Sequence, residues 1–127
     1  MDSIHNAFNW GKDRYKLFDI LFRIFGNKQF LYEKAEIMIS ENDPEGLKLM
    51  EKWISEGDFI AKMRLAYAFS GLEGKENSRK ARSIADEFVN RGRSYGFPKN
   101  DIVNFVYDIY CNIEEEITKK ELGKMVR

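Results

Sequence analysis

The side chains best suited to chemistry in this chain are few and badly placed for it. His5 is the sole histidine and Cys111 the sole cysteine. One imidazole excludes two-histidine metal motifs, and a catalytic triad would have to bring His5 to Cys111 from opposite ends of the sequence. The plainer reading is a solvated terminal histidine and a small core or boundary cysteine beside Tyr110, since an activated thiol needs an exposed, electropositive setting. Glu114, Glu115 and Glu116 are consecutive, and neighbouring helix positions point about 100° apart, so the three carboxylates do not converge on one ion. Gly71-Leu72-Glu73-Gly74-Lys75 echoes a phosphate-binding loop but lacks its spacing, its Lys-Ser/Thr pair and a preceding strand. These absences predict a protein that is not an enzyme and needs no cofactor and no metal.

A basic run carries more information. Lys75, Arg79, Lys80 and Arg82 lie at or near the start of one expected helix, and Arg91 and Arg93 at its end. Lys75, Arg79 and Arg82 are spaced four and three apart and can share a face. Tyr95 and Phe97 follow closely and offer rings on which bases of RNA or single strands would stack. Arginine forks serve carboxylates as well as phosphates, so an acidic protein surface is an equal target. The plain alternative is a row of exposed charges on an amphipathic helix. Two more aromatics stand out: Tyr107 falls off the apolar stripe of its helix, and Trp10 lies in a loop or terminus. Exposed aromatics of this kind anchor protein partners. The candidate partner-binding set is therefore Arg79, Lys80, Arg82, Arg91, Arg93, Tyr95, Tyr107 and Trp10.

The elements that position these residues are helices. Only two prolines occur in 127 residues, and Lys, Glu, Leu, Ile and Phe dominate, a composition that favours helix over strand. Tyr15, Phe18, Leu21, Phe22 and Phe25 recur at three- and four-residue steps over 12–25, before Gly26-Asn27, which reads as a helix stop. A similar pattern fills 28–40. Asp43-Pro44 is a strong start, with the carboxylate capping and the proline at the first helical position. The helix it opens ends at Gly57. Further helices are expected over 61–70, from Asn77 or Ser78 to Gly92, and from Asn100 or Asp101 to about residue 122. The predicted fold is all-α: stacked antiparallel helix hairpins, about six helices and no sheet, in a single domain.

Charge and length bound the function further. The 21 basic and 21 acidic side chains cancel, which argues against a globally basic nucleic-acid binder. Their distribution is uneven: residues 36–58 hold seven acids against two bases, and residues 59–99 nine bases against four acids. No apolar run approaches the roughly 20 residues of a membrane span, the first residues lack the pattern of a secretory signal, and one cysteine forms no internal disulfide. A cytoplasmic protein with no membrane partner is expected.

An internal repeat sharpens the picture. At an offset of 35 residues Asn42 falls on Asn77, Leu49 on Ile84, Trp53 on Phe88, Ile54 on Val89 and Gly57 on Gly92. One helix pair therefore occurs twice, over about 27–57 and 61–92, flanked by helices 12–25 and 101–122. A period of this length belongs to helix–turn–helix units that must stack to bury their apolar stripes. The spacing resembles the Sel1-like repeat, a relative of the tetratricopeptide repeat. Ala61, Leu65 and Phe69 match its first helix, Gly71 and Gly74 its turn, and Lys80-Ala81, Ile84, Phe88-Val89 and Gly92 its second helix. In the first copy Gly46 stands for the alanine, and Leu49, Trp53, Ile54 and Gly57 keep the remaining positions. The second turn is one residue short and Ile84 replaces an aromatic. The resemblance covers about half the chain and implies a scaffolding or protein-binding role.

The expectation from the sequence is thus a non-enzymatic protein–protein binding module. Its small size, without motif or anchor, suits an inhibitor, and within that class a bacterial immunity protein that neutralises a toxin domain. The alternative is an RNA- or DNA-binding helical protein using segment 75–93.

Overall fold

The computed structural model describes the backbone of residues 12–126 and the side chains of residues 13–113. Among the described residues six helices follow one another: α1 (Lys12–Phe25), α2 (Gln29–Ser40), α3 (Pro44–Ser55), α4 (Phe59–Ser70), α5 (Lys75–Arg91) and α6 (Lys99–Val126). No strand occurs among the described residues, and the fold is all-α, built of antiparallel helical hairpins. None of the helices is long and apolar enough to cross a membrane, among the described residues. The chain divides into two compact units, Met1–Leu49 and Met50–Arg127.

In the first unit α1 and α2 pair antiparallel. Gly26 takes φ +69°, the left-handed conformation that ends a helix at no steric cost to glycine. The pair is held by Lys34 on Asp19 at 2.9 Å, by Tyr15 donating to Glu41 at 2.6 Å and by Arg14 on the same Glu41 carboxylate. Asp43 Oδ1 accepts the Glu45 amide at 3.0 Å and Pro44 opens α3, as the Asp-Pro signal predicts. Gly46, one turn on, lies so close to α2 that a Cβ would stand 2.6 Å from Met38 Cβ and 2.7 Å from the Ala35 carbonyl. Any side chain at all would force the helices apart. The first unit also leaves an apolar stripe of α1 in solvent: Leu17, Ile20 and Ile24 are exposed.

The second unit is a three-helix bundle of α4, α5 and α6. Asp58 caps α4 by accepting the Ala61 amide at 3.1 Å, a start two residues earlier than the sequence reading placed it. Small buried residues, Ala61 and Ala66 on α4 with Ala81 and Ala85 on α5, let these helices approach closely. Lys62 reaches Glu87 at 2.7 Å across the pair, fixing its antiparallel sense. α6 returns beside α5 and runs parallel to α4, where the Tyr67 hydroxyl donates to Asp108 at 2.9 Å and Asn112 to Ser70 at 3.1 Å. Burial, then the hydrogen bond to Asp108, pushes the Tyr67 phenol up to about 12.

Aromatic rings fill the end of this bundle. Phe88 is fully buried and meets Tyr95, Phe97 and Phe105 edge-on, with centroids 5.5, 5.4 and 5.0 Å away. Edge-to-face contacts of this kind suit the ring quadrupoles. At Gly92 the constraint is space: φ is −55°, ordinary for any residue, but a Cβ would stand 2.7 Å from Ile102 Cδ1 and 2.5 Å from the Phe88 carbonyl. Gly57, its counterpart at the 35-residue offset, has φ +90° and nothing within 4 Å. The two glycines end their helices for different reasons.

Two more helix starts differ from expectation. α5 begins at Lys75, ahead of Asn77 and Ser78, because Gly74 turns the chain at φ +107°; the Asn77 side chain instead donates back to the Glu73 carbonyl. α6 begins at Lys99, directly after Pro98, whose carbonyl accepts the Ile102 amide.

Candidate partner-binding surface

The basic run of α5 does not form one patch. Residues 79, 82, 86 and 89 advance by three and four and share a face, whereas 80, 87 and 91 lie on the opposite one. On the first face Arg82 sits over the Tyr110 ring of α6 at 5.5 Å, and Asp86 accepts the Tyr110 hydroxyl. Arg79 pairs loosely with Glu76, at 3.5 Å. On the other face Lys80 lies over the Phe69 ring of α4 at 5.3 Å. Arg91 adds its field to Glu87. Desolvation pushes the Glu87 carboxyl up, but hydrogen bonds from Lys62 and Tyr95 and the charges of Lys62 and Arg91 outweigh it, so the group titrates below its ordinary value.

Tyr95 and Phe97, expected as rings for nucleobases, are used within the bundle. Tyr95 stacks on Phe59 at 3.8 Å with the planes 6° apart, turns an edge to Phe88 and donates to Glu87 at 2.6 Å. Phe97 packs on Phe88. Both are half-buried, so neither presents an open face pair between which a base could slide.

Arg93 and Tyr107 instead come together at a groove between α5 and α6. A cavity of about 510 Å³ is lined by Val89 and Arg93 from the α5 side and by Lys99, Ile102, Val103, Val106 and Tyr107 of α6. Its walls are open to solvent: Val89 is 61 % exposed, Val103 55 % and Tyr107 69 %. The placement follows from helix geometry. On α6 the buried line is Ile102, Phe105, Ile109 and Ile113, while Lys99, Val103, Val106 and Tyr107 extend the apolar surface around one side. The carboxylates Asp101 and Asp108 fall on the other side, where Asp108 takes its hydrogen bond from Tyr67. A hydrogen bond with the Cys111 thiol, one turn on, raises the Tyr107 phenol above its ordinary value, with Asp108 adding to it. Cys111 is itself exposed, outside the core.

Of the residues singled out from sequence, the structure thus gathers Arg93 and Tyr107 at the groove and leaves Arg79 and Arg82 further along the same face of α5. Lys80 and Arg91 lie on the other face, and Tyr95 is internal. Trp10 lies outside the described residues. Val89 matches the second helix of the repeat, whose apolar stripe stacking should bury, and Val103 and Lys99 stand in no motif; Val89 is exposed because α6 covers the Phe88 side of α5 and leaves the adjacent position uncovered. The signal available for Val103 was the second apolar line, 103, 106 and 107, beside the main stripe. Among the described residues no three His, Cys, Asp or Glu side chains gather as metal ligands would.

Comparison with protein-family models, curated proteins and solved structures returns no match.

Proposed function

We propose that this chain is a non-enzymatic protein–protein binding module, specifically a bacterial immunity protein that acts in the cytoplasm by binding and neutralising a toxin domain. The observation that carries the reading is the exposure of Val89, Val103 and Tyr107 around a single groove. Apolar surface gathered in one place and rimmed by charge marks a binding site, whereas scattered exposed side chains do not. A tyrosine in such a patch is a favoured anchor. The cations on this side, Arg82, Arg93 and Lys99, would orient and speed the encounter. On the same reading residues 27–57 and 61–92 are degenerate Sel1-like copies, and the scaffold serves to present this surface.

The nucleic-acid alternative draws less support. Its stacking rings, Tyr95 and Phe97, are committed to Phe59 and Phe88, and its five cations divide between two faces of α5.

Co-expression tests the proposal. Each neighbouring reading frame whose product arrests growth is expressed with and without this chain. Restored growth together with a stoichiometric complex on gel filtration is the expected result, and substitution of Tyr107 by alanine should weaken that complex about tenfold or more. Growth arrest that persists, with no complex formed, would refute it.

A further inference from the structure

We infer that the α5–α6 groove receives an amphipathic α-helix of another protein, about two turns long, whose apolar side chains sit between Val89 and Val106 and whose flanking carboxylates meet Arg93 and Lys99. The inference rests on the protein-binding reading above and adds the chemistry of the partner.

Three features of the groove lead there. First, the walls are helices and the turn that joins them, so an extended peptide would find no strand edge to extend. A helix satisfies its own backbone hydrogen bonds and lays only side chains into a groove. The lining of α6 runs from Lys99 to Tyr107, nine residues whose ends lie about 12 Å apart, which matches two turns of a partner helix. Second, among the described residues the only charged side chains that line the groove are Arg93 and Lys99, both cations. The α6 carboxylates Asp101 and Asp108 lie on its opposite side, and Asp86, one turn before Val89 on α5, is engaged by Tyr110. An occupant rich in carboxylate is complementary; one rich in lysine is repelled.

Third, the described surface of a second copy does not supply that occupant. Its exposed apolar stripe on α1, Leu17, Ile20 and Ile24 with the adjoining Phe25, is accompanied by exposed Lys16 and Arg23, which would bring like charges to Arg93 and Lys99, and the exposed Ile60 of α4 stands alone. Its acidic segment, residues 36–58, exposes none of the large apolar side chains needed to fill the groove. A different protein is therefore the better fit.

The test uses the full chain and three synthetic helical peptides that share leucines at i, i+4 and i+7 and differ only in flanking residues, all Glu, all Gln or all Lys. Cys111, the sole cysteine, lies one turn beyond Tyr107, so a peptide in the groove slows its reaction with a thiol reagent. The expected result is protection of Cys111 by the Glu peptide at a concentration about tenfold below the Gln peptide, with the Lys peptide weakest. Arg93→Glu/Lys99→Glu, at two exposed positions, should reverse the order, and Val89→Ser/Val103→Ser should abolish protection with the thermal midpoint unchanged.

Equal protection by all three peptides overturns the acidic partner while leaving a protein-binding groove. Protection by none overturns the inference, and the toxin co-expression experiment then judges the binding reading separately. A dimer of the free chain that Val89→Ser/Val103→Ser dissociates makes a second copy the occupant and overturns it as well. So does an oligonucleotide that protects Cys111 better than the Glu peptide.

Discussion

Phe88 and Val89 are neighbours in the chain and opposites in the molecule. Phe88 is sealed inside a cluster of four aromatic rings, whereas Val89 is 61 % exposed at the mouth of the groove. The step of about 100° between adjacent helix positions carries the chain from the core to the candidate partner surface. The difference teaches that hydrophobicity alone does not mark the core of this bundle. Position relative to α6 does: one apolar flank of α5 is covered by it and the next is not.

Substitutions can break or sharpen that contrast. The largest expected effect is at the sealed position. Phe88→Ala leaves a ring-sized hole among Tyr95, Phe97 and Phe105 and should destabilise by about 3–5 kcal/mol, while Val89→Ala should stay within about 0.5 kcal/mol of the parent. Chemical denaturation of both variants measures the gap, and similar losses at the two sites would mean that the groove is core. Gly92→Ala comes next. Its methyl meets Ile102 and the Phe88 carbonyl, and the Ile102 side chain can yield only partly, so a loss of about 1–3 kcal/mol is expected. No loss would show that the α5–α6 contact is loose, and that the cavity beside it is free to change shape.

The smallest effect concerns Glu87, which ties α4, α5 and Tyr95 together. Its folded pKa lies below the ordinary 4.5, so the folded state favours the carboxylate. The stability this adds is complete above the unfolded value and is lost as pH falls through the lowered folded one. Glu87→Gln should therefore be less stable than the parent near neutrality and should lose less on acidification below pH 4.5. Parallel melting curves between neutral and acid pH check this, and identical pH slopes would remove Glu87 from the account.

Helix-forming segments were largely legible from the chain itself, for local reasons. The three- and four-residue recurrence over 12–25 and the glycine after it mark α1 without reference to anything distant, and Asp43-Pro44 marks the start of α3 in the same way. Starts failed where local signals compete. Asn77 and Ser78 look like caps, yet Gly74 can adopt a positive φ and turns the chain earlier, and the small-residue pattern from Ala61 onward hides Asp58, three residues before it, whose carboxylate accepts the Ala61 amide. The candidate surface was half legible. Tyr107 stood out because it falls off the apolar stripe of its helix. Val89 did not, because a stripe shows which residues are apolar and leaves open how far a neighbouring helix extends over them. Tyr95 and Phe97 misled for a related reason: a ring beside basic residues serves a ligand or the core with equal ease until its neighbours, Phe59 and Phe88, are in view.

Gly46 has a consequence outside energetics. Where two helices meet with no room for even a methyl group, divergence has nowhere to go, and the position stays constant while its surroundings drift. An Asp-Pro step at 43–44 and a glycine at 46 together form a signature held by separate capping and steric requirements. Distant kin of this chain would be recognised by that short spacing long after their overall likeness had faded.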